Sequence, residues 1–302
     1  RALIFTDSVQ DAAHRAGYVN QRSHTMSLRS ALRGALTADM PLDAWAGAAL
    51  DAARASAFDR YRLVPAALSE QQRFKPYWDP QAPASKRSRA KPHVRRRLLF
   101  DIALEVGLQS AYGRTLEATG SVTVHVSAGR ANALVALARQ ALGADQQGVL
   151  DGFKDTSDAD LLAWVRGTLE HMRREGAIDH EWFGRFMERD GAPYEIWGGR
   201  RPKDAMPAFT PWRSTPAFPR LGRPGPRSLL DPVTVAQSWY ARWTSRVLGV
   251  DAGHAGVLMR ALFGALEEAG IVVGRAIAGG GAGDRVLAVP AHRITVAATP
   301  DG

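Results

Sequence analysis

The segment from Arg200 to Arg227 constrains the fold of this chain most strongly, because it contains seven prolines. Proline lacks a backbone N–H and fixes φ, so this density excludes a helix and favours extended, partly polyproline structure. The same segment carries seven basic residues against one Asp. The sequence therefore predicts a basic, proline-rich interdomain linker at 200–227, with separate folded regions before and after it.

Apolar residues before this linker recur every three or four positions, which predicts helices that each bury one face. Four stretches show the pattern: Pro41–Phe58, Val94–Ala111, Ala128–Leu142 and Asp158–Glu175. Alternation typical of a half-buried strand occurs in Ser121–Ser127. The sequence thus predicts a mostly helical region at 37–199 and a protein that is mainly α with minor β.

Residues 228–302, after the linker, are predicted to form a winged-helix-like domain. A first helix is expected over Val233–Leu248, with an apolar face made by Val235, Trp239, Trp243 and Val247. Asp251 is placed to cap a second helix that runs to about Ala269, and its buried stripe comprises Leu258, Leu262 and Leu266. A strand, a glycine-rich tip and a second strand follow in 270–290, completing the order of a winged helix.

In winged-helix proteins the second helix commonly enters a DNA groove while the hairpin touches the backbone. The side chains expected to reach phosphates are Arg242, Arg246, Arg260, Arg275 and Arg285. Many winged helices mediate protein contacts instead, so the fold alone leaves both roles open.

Charge favours a polyanionic partner, since the chain has a formal net charge of +9 at pH 7 and a pI near 10.3. Between Ser85 and Arg97 there are seven basic residues and no acid. The phosphate-binding candidates there are Lys86, Arg87, Arg89, Lys91, Arg95, Arg96 and Arg97. This run and the basic linker could each follow a phosphate backbone; the alternative is a solvated, arginine-rich surface without a partner.

Known catalytic motifs are absent from the sequence. The glycine-rich "AGGGAGDR" lacks the Lys-Ser/Thr ending of a phosphate-binding loop, and it lies between two predicted strands. The eight histidines show no metal-binding spacing, and without cysteine there is neither a disulfide nor a thiolate zinc site. We therefore expect no active site, metal or cofactor within the chain itself.

The first residues raise a different possibility. An apolar run, Ala2–Phe5, gives way to Thr6-Asp7-Ser8 and then to a helical pattern. The stretch "LIFTDSVQDAAHRAG" resembles the start of the second RecA-like domain of superfamily-two DEAD/DEAH-box helicases, in particular large bacterial ones. "LEVGLQSAYGRTLEATGS", beginning at Leu104, also resembles these proteins, in which such a stretch falls in a long insertion.

This resemblance implies that residues 1–36 begin the second RecA-like domain and that 37–199 form an insertion. It implies ATP and Mg²⁺ as cofactors of an intact, longer protein, bound through motifs that this chain lacks. Ser8 and Gln10 would contact nucleic acid or support the domain interface; a helix cap by Asp7 or Ser8 is the alternative role. The sequence would then be a piece of an ATP-dependent helicase or translocase whose insertion binds DNA.

Two other functions remain open from the sequence. One is a non-motor, DNA-binding winged-helix regulator; the other is an insert that recruits protein subunits of a phage-defence or repair complex. The expected partners are DNA, the remaining helicase domains, and such subunits. The sequence does not distinguish DNA from RNA. We expect a cytoplasmic protein with no membrane partner, because no apolar run approaches the length of a membrane span.

We expect this chain by itself to have no ATPase activity. Without a phosphate-binding loop or a DEAH acid, nothing in the sequence cradles the β- and γ-phosphates or holds Mg²⁺. The chain mixed with ATP, Mg²⁺ and DNA should release no phosphate above background in a phosphate-release assay. Turnover that persists through rigorous purification would contradict this expectation.

Overall fold

A computed structural model of the chain describes residues 23–107, 115–143, 156–192, 215–223 and 225–299. The described residues are mainly helical, with small sheets, as the periodicity predicts. They fall into two compact units, which divide between Leu99 and Phe100. Residues 1–22, including the predicted first strand, lie outside the described residues.

The first unit is helical. Helix α1 covers 23–35, and a two-residue strand, β1, follows. The remaining elements are β1 (Met40–Pro41), α2 (Leu42–Ala52), a 3₁₀ turn (Ala53–Ala55), α3 (Ala57–Arg62), α4 (Ala66–Ser69), α5 (Lys75–Trp78) and the start of α6 (Ala84–Gly107). Trp45 is fully buried, and its indole Nε1 donates to the Leu32 carbonyl at 2.9 Å, which fastens α2 to α1.

The prediction of one helix over Pro41–Phe58 is wrong in its second half. Helix α2 ends at Ala52, and Ser56 begins a new helix. The Ser56 hydroxyl accepts a hydrogen bond from the Asp59 N–H at 3.2 Å. A serine in this N-cap position satisfies an amide that the first turn would otherwise leave without a partner, so the chain restarts there instead of continuing.

Helix α6 contains the whole basic run from Ser85 to Arg97. The helix predicted from Val94 thus begins ten residues earlier, at Ala84. Pro92 lies inside it, and its missing N–H removes the hydrogen bond to the carbonyl four residues before. Ala90, Val94 and Leu98 are buried and form the face that holds the helix to its core.

The second unit continues from α6 and contains six of the strands that the structure describes. Its elements are β2 (Val122–Val126), α7 (Ala131–Gly143), α8 (Asp158–Arg174), a 3₁₀ turn (Glu181–Phe183), α9 (Gly184–Glu188), β3 (Pro219–Leu221), β4 (Asp231–Pro232), α10 (Trp239–Leu248), α11 (Ala252–Glu268), β5 (Val273–Ala276), β6 (Arg285–Ala288), a second 3₁₀ turn (Ala291–Arg293) and β7 (Ile294–Ala298). The strand expected at 121–127 and the helices expected at 128–142 and 158–175 are confirmed to within three residues.

Two sheets connect distant parts of the sequence. Strand β2 pairs antiparallel with β7, with Val124 opposite Val296. The other sheet has the order β4-β3-β6-β5, in which β3 and β4 are parallel and the remaining pairs antiparallel. The C-terminal strand therefore completes a sheet with residues that precede the proline-rich segment.

This pairing differs from the sequence-based division at residue 228. The described part of the predicted linker supplies β3, whose Arg220 pairs with Val286 of the hairpin. Helices α10 and α11 also pack on α7 and α8. Residues 228–299 thus share one compact unit with residues from 100 onward, because their apolar faces and strand edges are covered by elements from before the linker. Residues 200–214 lie outside the described residues.

The prediction of a helix over Val233–Leu248 is wrong about where the helix starts and about which of its residues are buried. Helix α10 begins at Trp239, where the Ser238 hydroxyl accepts from the Ala241 N–H at 3.0 Å. The buried residues are Tyr240, Ala241, Thr244 and Leu248. Val235 lies outside the helix and is exposed, so it does not extend the predicted stripe.

Helix α11 and the hairpin form where the sequence predicts them. The Asp251 carboxylate accepts from the Gly253 and His254 amides, and Leu258, Leu262 and Leu266 are buried. Strands β5 and β6 pair antiparallel on either side of the glycine-rich tip. Two helices followed by a hairpin are therefore present; their assignment to the winged-helix class stays a prediction.

Two tryptophans fix α10 on α8. Trp164 donates from Nε1 to the Thr244 hydroxyl at 2.8 Å, and Trp243 donates from Nε1 to the Trp164 carbonyl at 3.1 Å. Gly167 permits this approach, since a Cβ there would lie 2.3 Å from the Trp243 ring. The two hydrogen bonds set the rotation of α10 and so decide which of its side chains face solvent.

A buried arginine connects α8 to three other segments. The Arg173 side chain is fully buried; its guanidinium contacts both carboxylate oxygens of Glu117, at 2.8 and 2.9 Å, and the Val106 carbonyl at 2.7 Å. Its Nε donates to Glu170 at 2.8 Å, and the other oxygen of Glu170 accepts from the Val126 N–H at 2.6 Å. The end of α6, the turn before β2, α8 and β2 are thereby joined.

We predict that Arg173→Met destabilises the protein by about 3 kcal/mol, because the half-buried Glu117 and Glu170 would lose the cation that balances their charges. Urea unfolding monitored by circular dichroism measures the change. The matched control is Arg139→Met, which removes an exposed ion pair with Asp158 and should cost less than about 1 kcal/mol. Equal losses in the two variants would contradict a structural role for the Arg173 network.

Candidate nucleic-acid interface

The predicted nucleic-acid-binding residues fall into groups with different surroundings. Ser8 and Gln10 lie outside the described residues. The others belong to α6, α10, α11 and the β5–β6 hairpin, and their exposure and partners decide which of them can contact phosphate.

Along α6, Lys86 and Arg89 are exposed and make neither a hydrogen bond nor an ion pair within the described part of the chain. Lys91 is paired with Asp51 at 3.1 Å. Arg95 is exposed and its Nη2 lies 3.5 Å from the Asp43 carbonyl, at the limit of a hydrogen bond. The exposed side of this helix is therefore cationic, with Lys86, Arg89 and Arg95 as its most available charges.

Three arginines of the basic run are less available than the sequence suggests. Arg97 is 9% exposed and lies on the buried side of the helix with Val94 and Leu98, which corrects its assignment to a phosphate-binding surface. Arg96 is half-buried. Arg87 is half-buried and donates from Nη2 to the Ala82 carbonyl at 3.1 Å. Successive side chains on a helix are rotated by about 100°, so Arg95 faces solvent while Arg97 lies on the side of the buried Val94 and Leu98.

Helix α10 presents a pair of exposed arginines. Arg242 and Arg246 are four residues apart, on the side away from the buried Tyr240 and Thr244. Neither makes a hydrogen bond or an ion pair with the described residues. Spacing of four places both guanidinium groups on one helix face, where they can contact successive phosphates.

Arg260 lies beside the glycine-rich tip of the hairpin. It is exposed on α11, and a Cβ built on Gly283 would lie 3.8 Å from its Nη1 atom. Arg275 and Arg285, in contrast, are held in ion pairs at 2.9 Å, with Asp179 and Glu267 respectively. Of the hairpin arginines and Arg260, Arg260 is thus the most available to a ligand.

A cluster of titratable and aromatic groups underlies the start of α10. The His171 ring stacks on Trp239 with centroids 3.6 Å apart, and its Nε2 lies 4.0 Å from an Asp231 carboxylate oxygen. Burial lowers the pKa of His171 to about 4, so the imidazole is neutral at pH 7 and this contact is not an ion pair. No local sequence pattern predicts this cluster, because its members come from α8, β4 and α10.

Of the two acids in this region, Asp231 and Glu175, Asp231 has the more strongly shifted pKa. Burial, together with the nearby Glu175 charge, raises the pKa of Asp231 to about 6, against an opposing effect of Arg242. Burial also raises the pKa of Glu175 and that of the buried Tyr240 hydroxyl. The Glu175 charge and the partial burial of Asp231 thus both oppose ionisation of the Asp231 carboxyl.

A cavity of about 420 Å³, which no sequence pattern predicts, lies between the end of β2 and α8. We call it the β2 cavity; its lining includes His125, Ser127, Leu134, Arg166, Leu169 and Glu170. It is built by the packing of α7 and α8 against the strand end, which no local pattern records.

No group of three or more His, Asp or Glu within the described ranges could hold a metal ion. Among the helices that the structure describes, none combines the length and apolar character needed to cross a bilayer. Comparisons with protein-family models, with curated proteins and with solved structures find no match to this chain. The assignment of a function therefore depends on the residues themselves.

We predict that Asp231→Asn stabilises the protein at pH 7.5 by about 1–3 kcal/mol. Burial raises the pKa of Asp231 in the folded protein from 3.8 to about 6. As pH rises from 3.8 to 6, the unfolded chain therefore ionises before the folded protein does, and the folded protein loses stability that the Asn variant retains. Below pH 3.8 the carboxyl is neutral in both states, so this difference from the wild type should vanish. Urea unfolding of both proteins at pH 3 and 7.5 tests this; a difference that does not depend on pH would contradict it.

Proposed function

We propose that this chain is a DNA-binding part of an ATP-dependent helicase or translocase. In this proposal residues 1–36 begin the second RecA-like domain, and the following residues form an insertion with a winged-helix-like C-terminal part. ATP and Mg²⁺ are bound by other parts of the intact protein. The insertion holds DNA against the motor.

One observation carries the DNA-binding part of the proposal: several exposed cations make no ion pair with the residues that the structure describes. They are Lys86, Arg89, Arg242, Arg246 and Arg260; the charge of Arg242 also acts on the Asp231 carboxyl. The chain has an excess of nine positive charges. Exposed cations of this kind attract phosphate and release counterions from DNA when they bind.

The arrangement supports contacts to backbone more than readout of bases. The exposed face of α11 carries Gly253, Val257 and Gly264 around Arg260, so it lacks the Asn and Gln side chains that recognise adenine. Phosphate contacts position a protein without selecting sequence. Such binding suits a helicase, which must move along any sequence. The motor assignment itself is supported by the resemblance of the first residues to DEAD/DEAH-box helicases.

We expect the chain to bind unrelated DNA duplexes with similar affinity and with a strong salt dependence. The logarithm of affinity should fall linearly with the logarithm of salt concentration, with a slope of roughly −0.9 per phosphate contact. Replacing Arg242 and Arg246 by Gln should flatten this slope by about two, and Arg260→Gln by about one. Fluorescence anisotropy on labelled duplexes at several salt concentrations measures each slope.

The matched control is the double variant Lys75→Gln/Arg139→Gln, which removes two positive charges held in exposed ion pairs with Glu70 and Asp158. Its slope should equal that of the wild type. If Arg242→Gln/Arg246→Gln and Arg260→Gln also retain the wild-type slope, these helices do not contact DNA, and the insertion is better explained as a docking surface for protein.

A further inference from the structure

The β2 cavity has the size of a small-molecule site. Its volume of about 420 Å³ lies within the range of roughly 300–1,000 Å³ typical of ligand pockets. The cavity is bounded by the end of β2 and the loop before α7 on one side and by α8 on the other. Two of its lining residues, Val126 and Glu170, are hydrogen-bonded to each other, and Glu170 is also bound by Arg173.

The lining divides into an apolar part and a polar part. Leu134 and Leu169, which are buried, form an apolar floor. The polar part includes Arg166, His125 and Ser127, which are exposed. Such a lining fits a ligand with a flat or apolar portion and a charged portion.

The charge of the polar part favours an anion. Glu170 also lines the cavity, but its two carboxylate oxygens already accept from the Val126 N–H and from Arg173 Nε. Its charge is therefore balanced within the protein. Arg166 makes neither a hydrogen bond nor an ion pair within the described ranges, and a guanidinium in this state readily binds the oxygens of a phosphate.

We propose that the β2 cavity binds a nucleoside monophosphate, with the phosphate on Arg166 and the nucleoside against Leu134 and Leu169. The choice of a nucleotide among amphipathic anions rests on the proposed function, which brings nucleic acid to this unit. The same chemistry is presented by a free nucleotide and by one nucleotide of a single DNA strand. His125 and Ser127 add donors at the polar end of the cavity.

The test is a titration of the isotopically labelled chain with dAMP, followed by nuclear magnetic resonance. The expected dissociation constant is on the order of 100 μM, as for ligands of this size. Amide signals of residues 125–129 and 166–170 should shift, and they should shift less with deoxyadenosine or inorganic phosphate alone, since each fills one part of the cavity. Absence of shifts in these residues with dAMP at several millimolar overturns the proposal without any variant.

Arg166→Gln should weaken dAMP binding about tenfold, because a charge-assisted contact to phosphate is lost. Arg174→Gln is the matched control, since Arg174 is an exposed arginine on the same helix but does not line the cavity; it should bind dAMP as the wild type does. Equal affinity of Arg166→Gln and the wild type overturns the assignment.

A short single strand, such as ten thymidine nucleotides, distinguishes the two sources of the nucleotide. If the cavity holds a nucleotide of a strand, the oligonucleotide displaces dAMP and itself binds less tightly to Arg166→Gln. If the cavity holds free nucleotide, the oligonucleotide leaves bound dAMP in place. Both outcomes support a nucleotide site. Loss of duplex binding in the Arg242 and Arg246 variants is measured separately, so failure of the cavity and failure of the proposed function can be told apart.

Discussion

The fully buried Arg173 guanidinium is the interaction on which the second unit most depends. It contacts the last turn of α6, the turn before β2 and, through Glu170, the amide of Val126. A charge withdrawn from water requires close, well-directed partners to offset its desolvation. These partners come from separate segments, so they must be brought together for the arginine to be buried. The network therefore couples the position of β2 to that of α8.

This coupling also determines the surface chemistry beside it. Because both carboxylate oxygens of Glu170 accept from Arg173 and Val126, the neighbouring Arg166 at the β2 cavity makes no ion pair within the described part of the chain. In the same unit, the hydrogen bonds that join Trp164 to Thr244 and Trp243 to Trp164 hold α10 on α8, and Arg242 and Arg246 then face solvent. Because these polar groups bind one another, two sets of arginines stay available for anions: Arg166 at the β2 cavity, and Arg242 with Arg246 on α10. The proposed DNA-binding role and the proposed nucleotide site both rest on this distribution of charge.

The availability of an arginine could not be predicted from its place in a basic run. Arg97 and Arg95 are two residues apart, yet one is buried and the other exposed. Among the residues that the structure describes, Arg260 has no ion pair, while Arg285 of the adjacent hairpin is held by Glu267. Sequence supplies the number and approximate location of the charges, but the partner of each charge lies in another element. Candidate sites drawn from charge runs therefore need the fold before they can be ranked.

By itself, the sequence determined the features that depend on neighbouring residues: the α8 stripe, the Asp251 cap, the strand at 122–126 and the hairpin around the glycine-rich tip. These follow from periodicity, capping and turn chemistry, which act within a few residues. Tertiary structure decided that β2 pairs with β7, that β3 from the proline-rich segment joins the hairpin, and that Ser238 delays α10. It also built the β2 cavity and the Asp231–His171 cluster. The reason is that strand pairing and burial are settled by contacts between residues far apart in the chain, and no local pattern records them.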